Sequence, residues 1–205
     1  MKALKLLLLT TLLFCLAGCE DKKSTSNKNN IEKKINFEEN GTELSKEEIE
    51  LRKKHTFQLS DFNDINHSIT IEYKHIEISE ISEKIILINF FATWCPPCKG
   101  EMPYLADLKK KYEGKLFVAG ILVNDTSNKE KLQTFIRDLD VNYFISTSSQ
   151  NDALAKLATQ RLKLGEDFPI PLTILFKDGY YYSHYEGAVP IEMLEHDIKN
   201  ALNKE

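Results

Sequence analysis

Only five histidines occur in the 205 residues, at 55, 67, 75, 184 and 196, too scattered to form a ligand pair. A structural zinc site needs about four Cys or His ligands, so the cysteines have no second pair with which to complete one. Glycine is thin as well: there are eight, none of them in a phosphate-cradling loop, and no segment of the chain repeats. Basic residues form no stripe. Residues 55–205 carry 16 basic and 22 acidic side chains, a net charge of −6, which argues against nucleic acid as a partner because little is there to displace counterions. Long apolar runs are also missing. The one near the N-terminus, residues 6–17, has twelve residues, against the ~20 a helix needs to span a bilayer.

That short run has the shape of a signal peptide, since Met1, Lys2 and Lys5 precede it as a basic start. It ends in Leu16, Ala17, Gly18 and Cys19, which resembles the bacterial lipoprotein processing site. The resemblance implies that residues 1–18 are removed, that the mature chain begins at Cys19, and that its sulfur carries a diacylglycerol. Two or more acyl chains make a stable anchor, whereas an ordinary signal peptide would release a soluble protein. The expected location is the bacterial cell membrane, with the domain facing the periplasm or the cell exterior. Residues 19–54 read as a flexible charged tether: of residues 20–54, nine are acidic and nine basic, with few apolar side chains to build a core. A coil of that length reaches about 30–35 Å. Within it Ser45, Lys46, Glu47 and Glu48 read as a capping box for a helix through Arg52, with a solvated segment as the alternative.

Cysteine is the scarce residue that matters most. Of the four, Cys15 leaves with the signal and Cys19 becomes a thioether, so Cys95 and Cys98 are the only free thiols exported. Residues 84–91 before them are a nearly unbroken apolar, β-branched and aromatic run, the pattern of a strand covered on both faces. Behind them Pro96 and Pro97 suit a first helical turn, and Met102, Leu105, Leu108 and Tyr112 recur at helical spacing. Cys95 is thus expected at a helix N-terminus, where the dipole favours a thiolate and pKa values fall to about 3.5–7.5. Glu101, three residues beyond Cys98, can lie close to that sulfur and accept its proton, although many helical glutamates are simply solvated. An inert buried disulfide is the bland alternative for the pair; the strand before it, the helix after it and the flanking Trp94 favour redox chemistry.

The run from Ile88 to Pro103 resembles the active-site segment of thioredoxin-like proteins, in particular the TlpA/ResA-like branch of membrane-tethered thiol:disulfide oxidoreductases. The resemblance implies a redox-active disulfide with Cys95 as nucleophile and Cys98 as resolving thiol, and places Glu101 at the branch's glutamate. Asn89 stands where thioredoxin carries a buried Asp, and Pro103 also matches the branch. A cis-proline packed against the disulfide is implied at Pro171, with Pro169 as the alternative, and the Ile170 backbone beside it is expected to pair with an extended substrate. Trp94, Pro96, Pro97, Ile170 and Pro171 are therefore the expected substrate-binding residues. No cofactor or metal is implied. The implied partners are protein thiols and disulfides outside the cytoplasm, with a membrane thiol transporter as electron donor, in work of the cytochrome c maturation or copper-site type.

Residues 55–205 suffice for one domain. Half-buried strands are expected around residues 56–59, 69–73 and 76–78, and a second buried strand at 115–123. Ser127 is expected to cap a helix bearing Leu132, Phe135, Ile136 and Leu139. A short strand at 143–145 and a helix at 152–164 correspond to the branch's insertion. Asp178 and Gly179 read as a hairpin turn into a strand at 180–186, ended by Gly187. Pro190 then opens a last helix with Ile191, Met193, Leu194, Ile198 and Leu202 as its apolar stripe. The fold class is α/β: a thioredoxin-like fold with an N-terminal β extension and a central strand/helix insertion. The prolines between the cysteines remove two N–H donors from the Cys95 thiolate, which favours the disulfide and so points to a reductant. Two rivals are a Cu(I) metallochaperone using the same soft thiolates and a non-catalytic lipoprotein scaffold.

Overall fold

The structure, a computed structural model, describes residues 45–165 and 167–203. Its centre is β4, Ile85–Phe91, buried at every position as the apolar run requires. Around it lies one eight-stranded sheet in the order β1-β2-β3-β8-β7-β4-β5-β6. β5 (Leu116–Leu122) runs parallel to β4, and β7 (Leu172–Lys177) antiparallel to it. β6 (Phe144–Ser146) extends the parallel edge beyond β5. On the other side β8 (Tyr180–Glu186) pairs with β7 and reaches the meander β1 (His55–Ser60), β2 (Asn66–Glu72), β3 (His75–Ile78).

Side chains alternate across β4 and so serve two cores. Ile85, Leu87 and Phe91 face α2 (Pro96–Lys111), α3 (Lys129–Asp138) and α5 (Ile191–Asn203). Ile86, Ile88 and Phe90 face a second core formed by β1–β3 and α4 (Asn151–Arg161). The extension and the insertion meet there. Thr147 N–H donates to Ser60 O at 2.7 Å, and Gln58 N–H donates to Gln150 Oε1 at 2.7 Å, joining the β1 edge to the segment that follows β6. Arg161, at the end of α4, donates to Tyr73 O at 2.6 Å and to Lys53 O at 3.1 Å. The charged segment before β1 is helical over α1, Lys46–Arg52, whose Leu51 packs on the second core and whose Arg52 lies 4.5 Å over the Tyr73 ring.

Three expectations are corrected. The cap of α3 is Asn128, which accepts from Lys131 N–H at 2.9 Å, because Ser127 is turned inward with its own N–H donated to Asp125 at 2.7 Å. α4 ends at Arg161, with Leu162 as its cap and Lys163 at φ 59°, so residues 162–164 are not helical. Met193 lies off the apolar stripe of α5, 49% exposed, while Leu194, Ile198 and Ala201 are buried. The hairpin forms at Asp178 and Gly179, with φ values of 49° and 79°. A Cβ at residue 179 would lie 2.6 Å from Ile76 O, so glycine is required there for space as well as for φ. Among the described residues no helix is long and apolar enough to cross a membrane.

Candidate active site

Cys95 is the N-cap of α2, with Pro96 and Pro97 in the first two helical positions. Neither proline has an N–H, so the first helical donor within reach of the cap is Cys98 N–H, which lies 3.2 Å from Cys95 Sγ. Cys95 and Cys98 are joined in a disulfide. In this state both are buried, 2% and 0% exposed, and Cys98 is the more enclosed. α2 continues without a break across Pro103.

The loop leading to Cys95 is held by the loop after β5. Asp125 Oδ2 accepts from Thr93 N–H at 2.6 Å and from the Thr93 hydroxyl at 2.7 Å, while Oδ1 accepts from Ser127 N–H. Burial alone would raise the Asp125 carboxyl, but the hydrogen bonds from Thr93 and Ser127 outweigh it and hold it below the usual carboxylate range. Next to Thr93, Trp94 is 60% exposed and tethered only at its edge, the indole N–H donating to Asn124 O at 3.0 Å. Opposite stands the loop before β7. Its Ile170–Pro171 peptide is cis, and Ile170 O lies 3.6 Å from Cys95 Sγ. Pro171 O in turn accepts from Gly187 N–H at 2.8 Å, which ties this loop to the end of β8. Pro96 and Pro97 are exposed beside the disulfide.

Below the cysteines sits a polar group inside the core. Glu101 is buried, and its Oε2 accepts from Asn89 Nδ2 at 3.0 Å. The same Nδ2 donates to Thr173 Oγ1 at 2.8 Å, across the β4–β7 register in which Asn89 faces Thr173. Glu101 Oε1 has no hydrogen-bond partner among the described residues. Burial raises the carboxyl from 4.5 to about 7, and the Asn89 amide, the Val189 N–H and the Thr173 hydroxyl offset part of that rise. A carboxyl poised near neutrality, one helical turn past Cys98, can take up or release a proton at working pH. Glu101 also borders a pocket of about 430 Å³ between α2 and the start of α5, whose walls include Pro97, Tyr104, Val189, Pro190 and Ile191.

The sequence singles out neither Thr173 nor Asp125, and marks Asn89 only as standing where thioredoxin carries a buried Asp. Asn89 carried the clearest signal, a lone amide in an apolar strand that must find partners when buried. Cys19, the implied lipidation site, lies outside the described residues.

A profile described as Redoxin matches residues 56–181, a span that takes in the cysteine pair and the cis-proline loop. The chain belongs to the redoxin family. This redoxin is 28% identical over 136 residues to the thiol-disulfide oxidoreductase ResA of Oceanobacillus iheyensis, a match covering 66% of each chain and so just under two thirds of that protein. It is 44% identical over 130 residues to ResA of Bacillus anthracis, covering 63% of this chain and 70% of that one. Among solved structures, a thiol:disulfide interchange protein of the thioredoxin family from Chlorobium tepidum superposes with a TM-score of 0.57 at 20% identity, over 72% of this chain and 94% of that one. StoA from Bacillus subtilis gives 0.50 at 16% identity, over 70% and 96%. These two establish the fold, which is thioredoxin-like. Family and cysteine pair together place the redoxin among the thiol–disulfide oxidoreductases, with Cys95 and Cys98 as the pair suited to dithiol–disulfide exchange.

Proposed function

We propose that the protein is an extracytoplasmic reductant of protein disulfides, held at the membrane through Cys19. The observation that carries this reading is the placement of the pair: Cys95 caps α2, and Cys98 N–H is the first helical donor available to its sulfur because Pro96 and Pro97 supply none. A thiolate with fewer donors is less stabilised against the disulfide, which makes the couple more reducing. Reduced Cys95 attacks a partner disulfide, forming a mixed disulfide and releasing one partner thiolate. Cys98 then attacks Cys95 Sγ, the bond to the partner breaks, and the second partner thiolate leaves. The Cys98 proton passes to Glu101, so the enzyme dithiol ends as the disulfide, the partner ends reduced by two electrons, and protons balance.

Trp94, Pro96 and Pro97 form the exposed rim on which the partner chain sits, and the Ile170 backbone beside Pro171 pairs with it in extended form. The pocket bordered by Glu101 and Tyr104 receives side chains next to the partner's cysteine. Substrates of the apocytochrome c or copper-site cysteine class, and a membrane thiol transporter that regenerates the dithiol, suit a reductant tethered outside the cytoplasm.

Two measurements test the reading. The redox potential of the pair is expected towards the ~−270 mV of thioredoxin, and a value near the ~−120 mV of DsbA overturns the reductant direction. In cells, Cys98→Ser should trap mixed disulfides with exported cysteine proteins; capture of none, with the protein present at normal level, removes the proposed substrate class.

A further inference from the structure

Asn89 is the only polar side chain of β4, and it is fully buried. Burying an amide is unfavourable unless its hydrogens find acceptors, and both hydrogens of Nδ2 do: one on Glu101 Oε2 at 3.0 Å, the other on Thr173 Oγ1 at 2.8 Å. The acceptor halves are left over, for among the described residues neither Asn89 Oδ1 nor Glu101 Oε1 has a hydrogen-bond partner. The donor side of the amide is thus fully committed to the carboxyl and to the neighbouring strand.

We propose that Asn89, braced by Thr173, is a positioning residue for Glu101: it pins Oε2 to the sheet and leaves Oε1 as the oxygen that receives the Cys98 proton. This rests on the role given to Glu101 under the proposed function. The surroundings explain why a donor is needed. Cys98 precedes Glu101 by one turn of the same helix, Tyr143 before β6 interacts with the Glu101 charge, and Glu192 and Tyr104 share its pocket. Tyr143 is buried with an unpartnered hydroxyl, and proximity to Glu101 adds to the burial that raises it. The nearby cation, Lys99, instead lies 6.0 Å from the Phe135 ring centroid. Ionised Glu101 is therefore stabilised by neutral donors, of which the Asn89 amide contributes most, ahead of the Val189 N–H and the Thr173 hydroxyl. A carboxyl at position 89 could not do this, since two adjacent carboxylates share one proton and titrate apart.

The test uses the reduced full-length protein and an aromatic disulfide whose thiolate is coloured. Cys95 releases the first thiolate and Cys98 the second, so the pH profile of the second release reports the resolving step. Glu101→Gln should abolish the limb near neutrality. Asn89→Leu should move that limb up by about one to two pH units and slow the second release roughly tenfold or more near neutrality, with the first release as internal reference. Thr173→Val should shift it less, in the same direction, and Asn89→Asp should replace one midpoint by two. If Glu101→Gln removes the limb while Asn89→Asp and Thr173→Val keep the unaltered midpoint, the positioning role is wrong; these two decide the matter even where Asn89→Leu fails to fold. If Glu101→Gln keeps the limb, the underlying role of Glu101 is wrong instead.

Discussion

At the scale of single residues, Trp94 separates binding from stability. Its ring is 60% exposed and its one polar tie is the indole bond to Asn124 O, so it contributes little to the cores. Trp94→Ala should leave unfolding free energy within about 1 kcal/mol of the parent. An exposed, edge-anchored aromatic beside the reactive pair is nevertheless the side chain type that dominates protein contacts, so KM for a protein disulfide should rise by roughly tenfold while reaction with a small disulfide changes little. Steady-state kinetics on the two substrates checks this, and an unchanged KM for the protein would remove Trp94 from the docking rim. Cys95, Cys98 and Pro171 could be named from the sequence because local spacing and family pattern mark them. Glu101 could be named but not understood: the helical repeat allows position 101 to face solvent or core, and only the pairing with Asn89 on β4 shows that it faces the core.

At the scale of elements, the extension and the insertion depend on each other. Arg161 closes α4 and donates to backbone carbonyls of Tyr73 and Lys53, from the β2–β3 turn and the link between α1 and β1. Burial lowers its pKa to about 10, which still leaves it charged at neutral pH. Arg161→Ala should destabilise the domain by about 1–2 kcal/mol, because two charge-assisted hydrogen bonds are exchanged for water at carbonyls that lie near the surface. Denaturant unfolding measures this, and the potential of the cysteine pair should stay where it was. The segment beginning at Arg161 was the part of the chain least legible in advance, since a lone Arg within a helix pattern does not name carbonyls 88 and 108 residues away. The Asp178–Gly179 hairpin was fully legible, because a turn is decided by its own two residues. The cap of α3 falls between: both Ser127 and Asn128 are capping types, and the tie of Asp125 to Thr93 decided against Ser127.

At the scale of the whole molecule, buried charge gives stability a dependence on pH. Glu101 holds its proton up to about 7 when folded and releases it near 4.5 when unfolded. Between those values the folded state binds more protons, so stability falls as pH rises through the window, by about 3 kcal/mol across it. Glu195 has the opposite sign: hydrogen bonds from Lys111 and Lys199 lower it to about 2, so its contribution is present above its ordinary pKa and is lost in acid. Unfolding free energies at about pH 5 and about pH 8 should therefore drop for the parent, and Glu101→Gln should cancel most of that drop. An equal drop in both proteins would show that Glu101 ionises normally in the fold.

The order of elements, the central strand, the helix start at the cysteine pair and the tight hairpin were determined by the sequence itself, because each follows from backbone propensities and spacing within a few residues. That Glu101 turns into the core, which amide holds it there, and how α4 is tied to the N-terminal strands were decided only by tertiary structure. Those facts depend on hydrogen bonds between residues brought together by the sheet, such as Asn89 to Thr173 across 84 positions, and on the exclusion of water that makes such bonds matter.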